Sequence, residues 1–340
     1  MALSSFCCSQ VSRGITERRN SLVNVVKRML AGDQRALARL ISHVERHSTD
    51  VPAIMKCVYP ALGTGYCVGI TGPPGAGKST ITDKITAYAR QQEKTVGIVA
   101  VDPSSPFSGG AVLGDRIRMQ QHYLDSGVFI RSMATRGSHG GLPQSAKGVI
   151  KLFDAFGKEL ILVETVGVGQ TELDIVEAAD TTVVILVPEA GDSIQAMKAG
   201  LMEIADIFVV NKADREGAER MLTELRLLMH LHPKYDWWEV PVLATQAHKD
   251  VGIVELYAAI ETHRRTLEET GQLAVRRQAQ RRKELLALLQ YHLVQDLLAQ
   301  LAQEDTLQEL VKQVQDATID PYTAAQRILA DKRGSADGTH

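Results

Sequence analysis

The sequence predicts an α/β fold, a doubly wound and mostly parallel sheet with helical extensions at both ends of the chain. Three observations carry this. Short apolar runs rich in β-branched residues recur seven times between segments of helical spacing, as strands buried on both faces require. A glycine-rich turn, Gly72 to Thr80, joins the first of these runs to a helix-forming segment. After Thr262 the composition shifts to Gln, Arg, Leu and Glu with helical periodicity, which ends the sheet-forming region.

Residues 1–55 are expected as a helical lead-in. Their first twenty hold Arg13, Arg18 and Arg19 against Glu17, with several serines, a composition shared by disordered starts and organelle transit peptides. Leu22, Val25, Val26, Met29 and Leu30 then recur at helical spacing up to Gly32, and Asp33 can cap a second helix carrying Leu37, Leu40, Ile41 and Val44. The expected strands are Tyr66 to Thr71, Thr95 to Val101, Val128 to Ser132, Leu160 to Glu164, Thr182 to Val187, Ile207 to Asn211 and Val240 to Thr245, within a domain over residues 56–262. Residues 263–333 are expected to be a helical extension carrying Leu285, Leu289, Leu293, Leu297 and Leu301. Leu286 and Leu288 widen that stripe beyond one face, which favours a dimer arm over a helix folded back on its own domain. Asp320-Pro321 fits an N-cap and first-turn proline, and residues 334–340 read as a disordered tail.

Composition narrows the function. The 340 residues carry 38 Lys and Arg against 40 Asp and Glu, a net charge of −2, which argues against a nucleic-acid partner held by phosphate contacts. No apolar run approaches the ~18–20 residues that span a bilayer, so no membrane association is expected. The four cysteines, Cys7, Cys8, Cys57 and Cys67, match no zinc spacing and cannot staple the remainder, so a reducing, cytoplasmic setting is expected.

The run Gly72-Pro73-Pro74-Gly75-Ala76-Gly77-Lys78-Ser79-Thr80 is a full G-x-x-x-x-G-K-[ST] match between a strand and a helix. Its glycines let backbone N–H groups wrap a phosphate, Lys78 reaches the β/γ oxygens, and Ser79 offers a hydroxyl to Mg²⁺. The base is a separate question. Asn211-Lys212-Ala213-Asp214 follows a later strand, and the Asp214 carboxylate can accept from both the ring N–H and the exocyclic amine of guanine, a donor pair that adenine lacks. Lys212 is expected to lie over the base plane, and Asn211 to tie this loop to the phosphate loop. A weaker third loop is Thr245-Gln246-Ala247, where Gln246 and Ala247 expose backbone toward the base carbonyl, with a plain strand end as the alternative. Glu164 ends the fourth strand where small GTPases carry an aspartate near the metal. Asp102, and after it Asp115, are the further carboxylates expected on the metal side, although Asp102 before Pro103 also fits a turn or helix cap. The expected domain is therefore a P-loop GTPase that takes GTP, GDP and Mg²⁺.

The runs Val101 to Gly110, Gly114 to Met119, Glu164 to Gln170, Gly191 to Gly200 and Asn211 to Asp214 resemble those of the methylmalonyl-CoA mutase-associated GTPases, the MeaB/ArgK family that includes the methylmalonic aciduria type A protein. The similarity extends from about Leu22 to Leu329. It implies a homodimeric GTPase, dimerising through its C-terminal helices, that serves an adenosylcobalamin-dependent acyl-CoA mutase as a chaperone in cofactor loading, protection or reactivation. It also implies three mobile segments, around Asp102 to Met119, Glu164 to Leu173 and Pro188 to Lys198. The location it implies is cytoplasmic, or the mitochondrial matrix in a eukaryote. Departures from the family pattern fall at Arg136 to Leu142, Glu189-Ala190, Ala196 and Ala199.

No side chain after Gly167 stands where Ras-like enzymes orient the attacking water, so slow intrinsic hydrolysis is expected. Gln195 and Lys198, three apart on an expected first helical turn, are the residues a partner could move toward the water or the γ-phosphate. Two other classes compete. A phosphotransferase needs a base and an acceptor pocket that the phosphate-loop region does not display. A metallocentre-maturation GTPase needs soft ligands near the site, whereas every cysteine lies before residue 68 and His139 reads as an ordinary loop histidine. The basic cluster Arg276, Arg277, Arg281, Arg282 and Lys283 reads as a solvated helix face or a partner contact.

Overall fold

A computed structural model of the chain describes residues 21–102, 119–134, 142–165, 174–188, 200–231, 233–301 and 306–336. The first compact unit runs to Arg277 and the second from Gln278 onward. In the first, α1 (residues 21–30), α2 (Gln34–Glu45) and α3 (Val51–Val58) precede β1 (Tyr66–Thr71) and α4 (Lys78–Gln91). Then follow β2 (Val96–Asp102), β3 (Val128–Ala134), α5 (Gln144–Ala155), β4 (Leu160–Glu164), β5 (Thr181–Leu186), β6 (Ile207–Asn211), α6 (Ala218–Leu231), β7 (Val242–Thr245) and α7 (Ile253–Glu269). α8 (Gln272–Leu301) begins in this unit, and the second unit holds its remainder with α9 (Thr306–Gln315) and α10 (Pro321–Ala336).

The seven strands make one sheet in the order β3-β2-β4-β1-β5-β6-β7, every pairing parallel. The period-2 alternation of side chains decides what each face buries. Val68 and Ile70 of β1, Leu162 of β4, Val183 of β5 and Val209 of β6 point to the side where Ile81 and Ile85 of α4 and Leu256 and Ile260 of α7 pack. Opposite them, Ile161 and Val163 of β4 meet α1, α2, α3 and α5 through Met29, Leu40, Ile54 and Phe153. Val184 of β5 and Phe208 of β6 meet Leu222 and Leu225 of α6. Both faces are covered, which is why the strands read as continuous apolar runs. Asp33 caps α2 as its position predicts, its Oδ1 accepting from the N–H groups of Arg35 and Ala36 at 2.9 and 3.1 Å.

The two compact units divide at one place, after Arg277. The N-terminal helices bury their apolar stripes in the same core as the sheet, so the lead-in belongs to the first compact unit. At the other end the unit continues past residue 262 to Arg277, because Leu267 of α7 is fully buried against the sheet and the first turns of α8 are fastened by charge. Arg276 and Arg277 correct the reading of their cluster as a solvated face. Arg276 donates through Nη1 and Nη2 to Asp206 Oδ2 and Oδ1 at 2.7 and 3.0 Å. Arg277 donates through Nε and Nη2 to Asp180 Oδ1 and Oδ2 at 2.8 and 2.7 Å. The two aspartates stand at the starts of β5 and β6, a placement that only the folded sheet reveals. Arg281, Arg282 and Lys283 are exposed, as are Leu285, Leu286, Leu289 and Leu293. Within the second unit Leu301, Leu310 and Ala324 are buried.

Burial pushes the Asp206 carboxyl upward, but the bidentate Arg276 contact outweighs it and holds Asp206 below the usual carboxylate range. His263 of α7 lies in the same cluster. Its Nδ1 is 2.8 Å from Thr181 Oγ1, which is 2.5 Å from Tyr66 Oη, while its Nε2 is buried 3.9 Å from Asp206 Oδ1 without a hydrogen bond. Desolvation dominates and pushes the imidazole down to about 4. An unfolded chain takes up this proton near pH 6.5, so His263 favours the folded state above that pH and the contribution is lost as pH falls toward 4. From this group alone the chain is expected to lose about 2 kcal/mol between pH 7 and pH 5. Urea unfolding at both pH values checks it, and an equal loss in His263→Gln would assign the acid sensitivity to other groups.

Candidate nucleotide-binding site

Because all seven strands are parallel, their C-terminal ends open on one edge, and the first crossover there leaves β1 as the glycine-rich turn. β1 lies between β4 and β5, where no side chain fits at Gly72. Its φ is +139° and a Cβ would stand 2.0 Å from the Ile185 carbonyl oxygen. Gly77 caps α4 in the left-handed region at φ +89°, and a Cβ there would lie 2.4 Å from Asn211 Nδ2. Past this turn the first N–H groups of α4 face outward with the positive end of the helix dipole, the arrangement that holds phosphate.

Lys78 and Ser79 occupy the buried first turn of α4, with Thr80 half-buried beside them. Lys78 Nζ donates to the Gly72 and Pro73 carbonyl oxygens at 2.9 and 3.0 Å, so the ammonium arches over the loop it would complete around an anion. Glu164 ends β4 directly opposite Ile70, and Ser79 Oγ donates to its Oε1 at 2.5 Å. A hydroxyl and a carboxylate meeting at the mouth of the phosphate loop form a hard oxygen set, which suits Mg²⁺ rather than a soft metal. Asp102 closes β2, two residues beyond Ala100, which is in register with Glu164. Asp115, Gln195 and Lys198 lie outside the described residues, as do residues 103–118, 166–173 and 189–199, which make up most of the three segments expected to move. The divergent stretch at residues 135–141 lies outside them too.

One side chain joins the loops. Asn211, buried at the end of β6, donates through Nδ2 to the Ala76 carbonyl oxygen of the phosphate loop at 2.8 Å. Its Oδ1 accepts from Thr245 Oγ1 at 3.0 Å and from the Ala247 N–H at 3.2 Å. The expected tie between Asn211 and the phosphate loop is therefore present, and the same amide also holds the loop that carries Gln246 and Ala247. Lys212 follows with φ +56°, turning the chain back so that the Ala213 N–H donates to the Thr245 carbonyl at 3.0 Å. Asp214 is exposed at the end of this loop. Its own main-chain N–H is the largest cause holding its carboxyl below the usual range, with Lys249, at 3.3 Å from Oδ2, adding to it. Sequence reasoning overlooked Lys249 and the Lys84–Asp250 ion pair at 2.8 Å, because neither falls in a motif or a hydrophobic period.

These features define a class, the P-loop GTPase fold with helices at both ends of the chain. The family model described as methylmalonyl-CoA mutase-associated GTPase MeaB matches residues 34–302, and the chain belongs to that family. A Pyrococcus horikoshii protein to which GTPase activity is ascribed by name is 48% identical over 309 residues, 90% of this chain and 96% of the relative. The Escherichia coli GTPase ArgK is 31% identical over 316 residues, covering 91% of this chain and 96% of that protein. The mitochondrial methylmalonic aciduria type A homolog of mouse is 32% identical over 268 residues, 78% of this chain and 65% of the mouse protein. A crystal structure of a LAO/AO transport system kinase superposes with a TM-score of 0.68 at 26% identity, covering 92% of this chain and 98% of that one.

Removing the Asn211 amide strands three buried partners at once, so Asn211→Ala is expected to cost about 2–3 kcal/mol of folding stability. Urea unfolding with an unchanged slope checks this. A loss below about 0.5 kcal/mol would mean that the three loops hold together without the amide.

Proposed function

We propose that the chain binds GTP and GDP with Mg²⁺, hydrolyses GTP slowly alone, and acts as a chaperone of an adenosylcobalamin-dependent acyl-CoA mutase. The observation that carries the nucleotide half is the Asn211 amide, which brings the phosphate loop, the Asn211–Asp214 loop and the Gln246-Ala247 turn to one place. The partner rests on the description of the family and on the methylmalonic aciduria relative.

In this reading the backbone N–H groups of Gly75, Ala76, Gly77, Lys78, Ser79 and Thr80 cradle the β-phosphate, and Lys78 exchanges its carbonyl partners for β/γ oxygens. Asp214 reads the guanine N–H groups, the Lys212 stem covers the base, and Gln246 and Ala247 offer backbone to the base carbonyl. Ser79 and Glu164, with Asp102 and Asp115, would hold Mg²⁺, which when bound neutralises charge on the β- and γ-phosphates. Gln195 and Lys198 answer to the partner, one orienting water and the other supplying positive charge. Residues 263–333, of which those past Arg277 lie in the second unit, serve as a dimerisation extension, consistent with the exposed leucines of α8. No nucleic-acid or membrane partner is proposed; among the described residues no helix is long and apolar enough to cross a bilayer. The site of action is the cytoplasm, or the matrix if the chain is mitochondrial.

A second reading, a phosphotransferase, has in its favour the name of the solved relative. Radiolabelled GTP and the partner protein separate the two. Label released as phosphate supports hydrolysis, and label fixed on protein supports transfer.

Asp214→Asn replaces a double acceptor with a donor and an acceptor, so preference is expected to move from GDP toward XDP, while Lys78→Ala abolishes binding of both. Titrations with GDP, XDP and ADP check it, and tighter ADP than GDP binding by the parent would refute guanine selection. Asp102→Ala is expected to lose most Mg²⁺-dependent turnover; full retention removes Asp102 from the metal side. The cognate mutase is expected to raise GTP turnover at least about tenfold, about 1.4 kcal/mol of barrier, with Lys198→Ala or Gln195→Ala losing most of that gain at near-normal GDP affinity. Single-turnover hydrolysis with and without the mutase measures it, and equal stimulation of variant and parent would exclude this segment as the carrier.

A further inference from the structure

We propose that Lys249 is a specificity-determining positioning residue, whose ammonium holds the Asp214 carboxylate in the orientation that reads guanine. This deepens the reading of Asp214 as guanine selector and rests on it. Lys249 Nζ lies 3.3 Å from Asp214 Oδ2 and 3.4 Å from Gln246 Oε1, joining two loops that follow different strands. His248 Nε2 stands 3.9 Å from the same Asp214 oxygen.

The turn that presents Lys249 is fixed from several directions. The Gln246 N–H donates to the Val251 carbonyl at 3.0 Å, and the Ala247 N–H to Asn211 Oδ1 at 3.2 Å. Lys84 of α4 pairs with Asp250 at 2.8 Å. At Gly252, φ +80°, a Cβ would come within 2.3 Å of the Ala244 carbonyl oxygen, so the backbone can leave the turn in only one way. The turn thus fixes the backbone from which the Lys249 stem reaches Asp214. Its neighbour Asp250 is held by the helix that carries the phosphate loop, so the base-reading and phosphate-binding parts share a frame.

A carboxylate offers about four lone-pair directions, and Lys249 occupies one at Oδ2, leaving both oxygens able to accept from the base. An exposed aspartate without this partner samples several rotamers, and binding must then select one. Guanine presents two donors and needs both oxygens near the base plane. Hypoxanthine keeps only the ring N–H and tolerates a rotated carboxylate. The orienting effect is therefore read in the ratio of GDP to IDP affinity, which a loss of general charge attraction would leave unchanged.

The test is titration of the full chain and of Lys249→Ala and Lys249→Arg with GDP, IDP and ADP. The ion pair is exposed and screened by solvent, so Lys249→Ala is expected to lose at most about fivefold in GDP affinity and less in IDP affinity, compressing the ratio. Lys249→Arg is expected to restore it. An unchanged ratio in Lys249→Ala overturns the proposal, as does tighter GDP binding, which would make the lysine a competitor for the carboxylate. If the parent binds ADP as tightly as GDP, the guanine selector itself fails and this role with it. A strong guanine preference with an unaltered ratio removes only Lys249.

Discussion

The side-chain amide of Asn211 is the contact on which the open edge of the sheet depends. An amide has both a donor and an acceptor end, and here each is used on a different loop: Nδ2 on the phosphate loop, Oδ1 on the turn after β7. Neither an aspartate nor an apolar residue of equal size offers that polarity. The close approach it requires also explains Gly77, because any side chain there would displace the Asn211 nitrogen. One residue thus sets the spacing between the parts that would grip phosphate and the parts that would grip a base, and the parallel sheet supplies the fixed origin from which all of them leave.

The opposite edge of the sheet is held by a different chemistry. Asp180 and Asp206 immediately precede β5 and β6, accept from the main-chain N–H groups of Cys67 and Thr182, and then receive Arg277 and Arg276. Buried pairs of this kind add little net stability over apolar packing, but losing one partner leaves a desolvated charge. Their effect is to specify place. The planar fork of each guanidinium admits few geometries, so the first turns of α8 are fixed on the edge away from the nucleotide site. β5 and β6 therefore run between two polar assemblies, with apolar packing on both faces along their length.

Much of this was legible in the sequence, for reasons that differ from part to part. The strands were readable because a sheet covered on both faces needs unbroken apolar runs, and their observed bounds depart from the expected ones by no more than two residues, as at Val242–Thr245. The phosphate loop and Asn211 were readable because phosphate contact fixes residue type and spacing together. Arg276, Arg277 and Lys249 were not, since each meets a carboxylate distant in the chain and a charge carries no periodicity that names its partner. The unit boundary at Arg277 escaped for the same reason: composition changes after Thr262, but α7 still buries Leu267 and the two arginines bind further on.

The parallel topology also bears on how the chain reaches this state. The Ser79–Glu164 contact closes 85 residues of chain and the Asn211–Ala76 contact closes 135. Contacts of such separation become favourable only after the intervening crossovers have formed, so the phosphate loop and its surroundings depend on most of the sheet being paired. A guanine nucleotide that recognises the finished edge has nothing to hold on the partly paired chain. By mass action it would deepen the native basin without shortening the route to it, leaving the pace of folding to the topology alone.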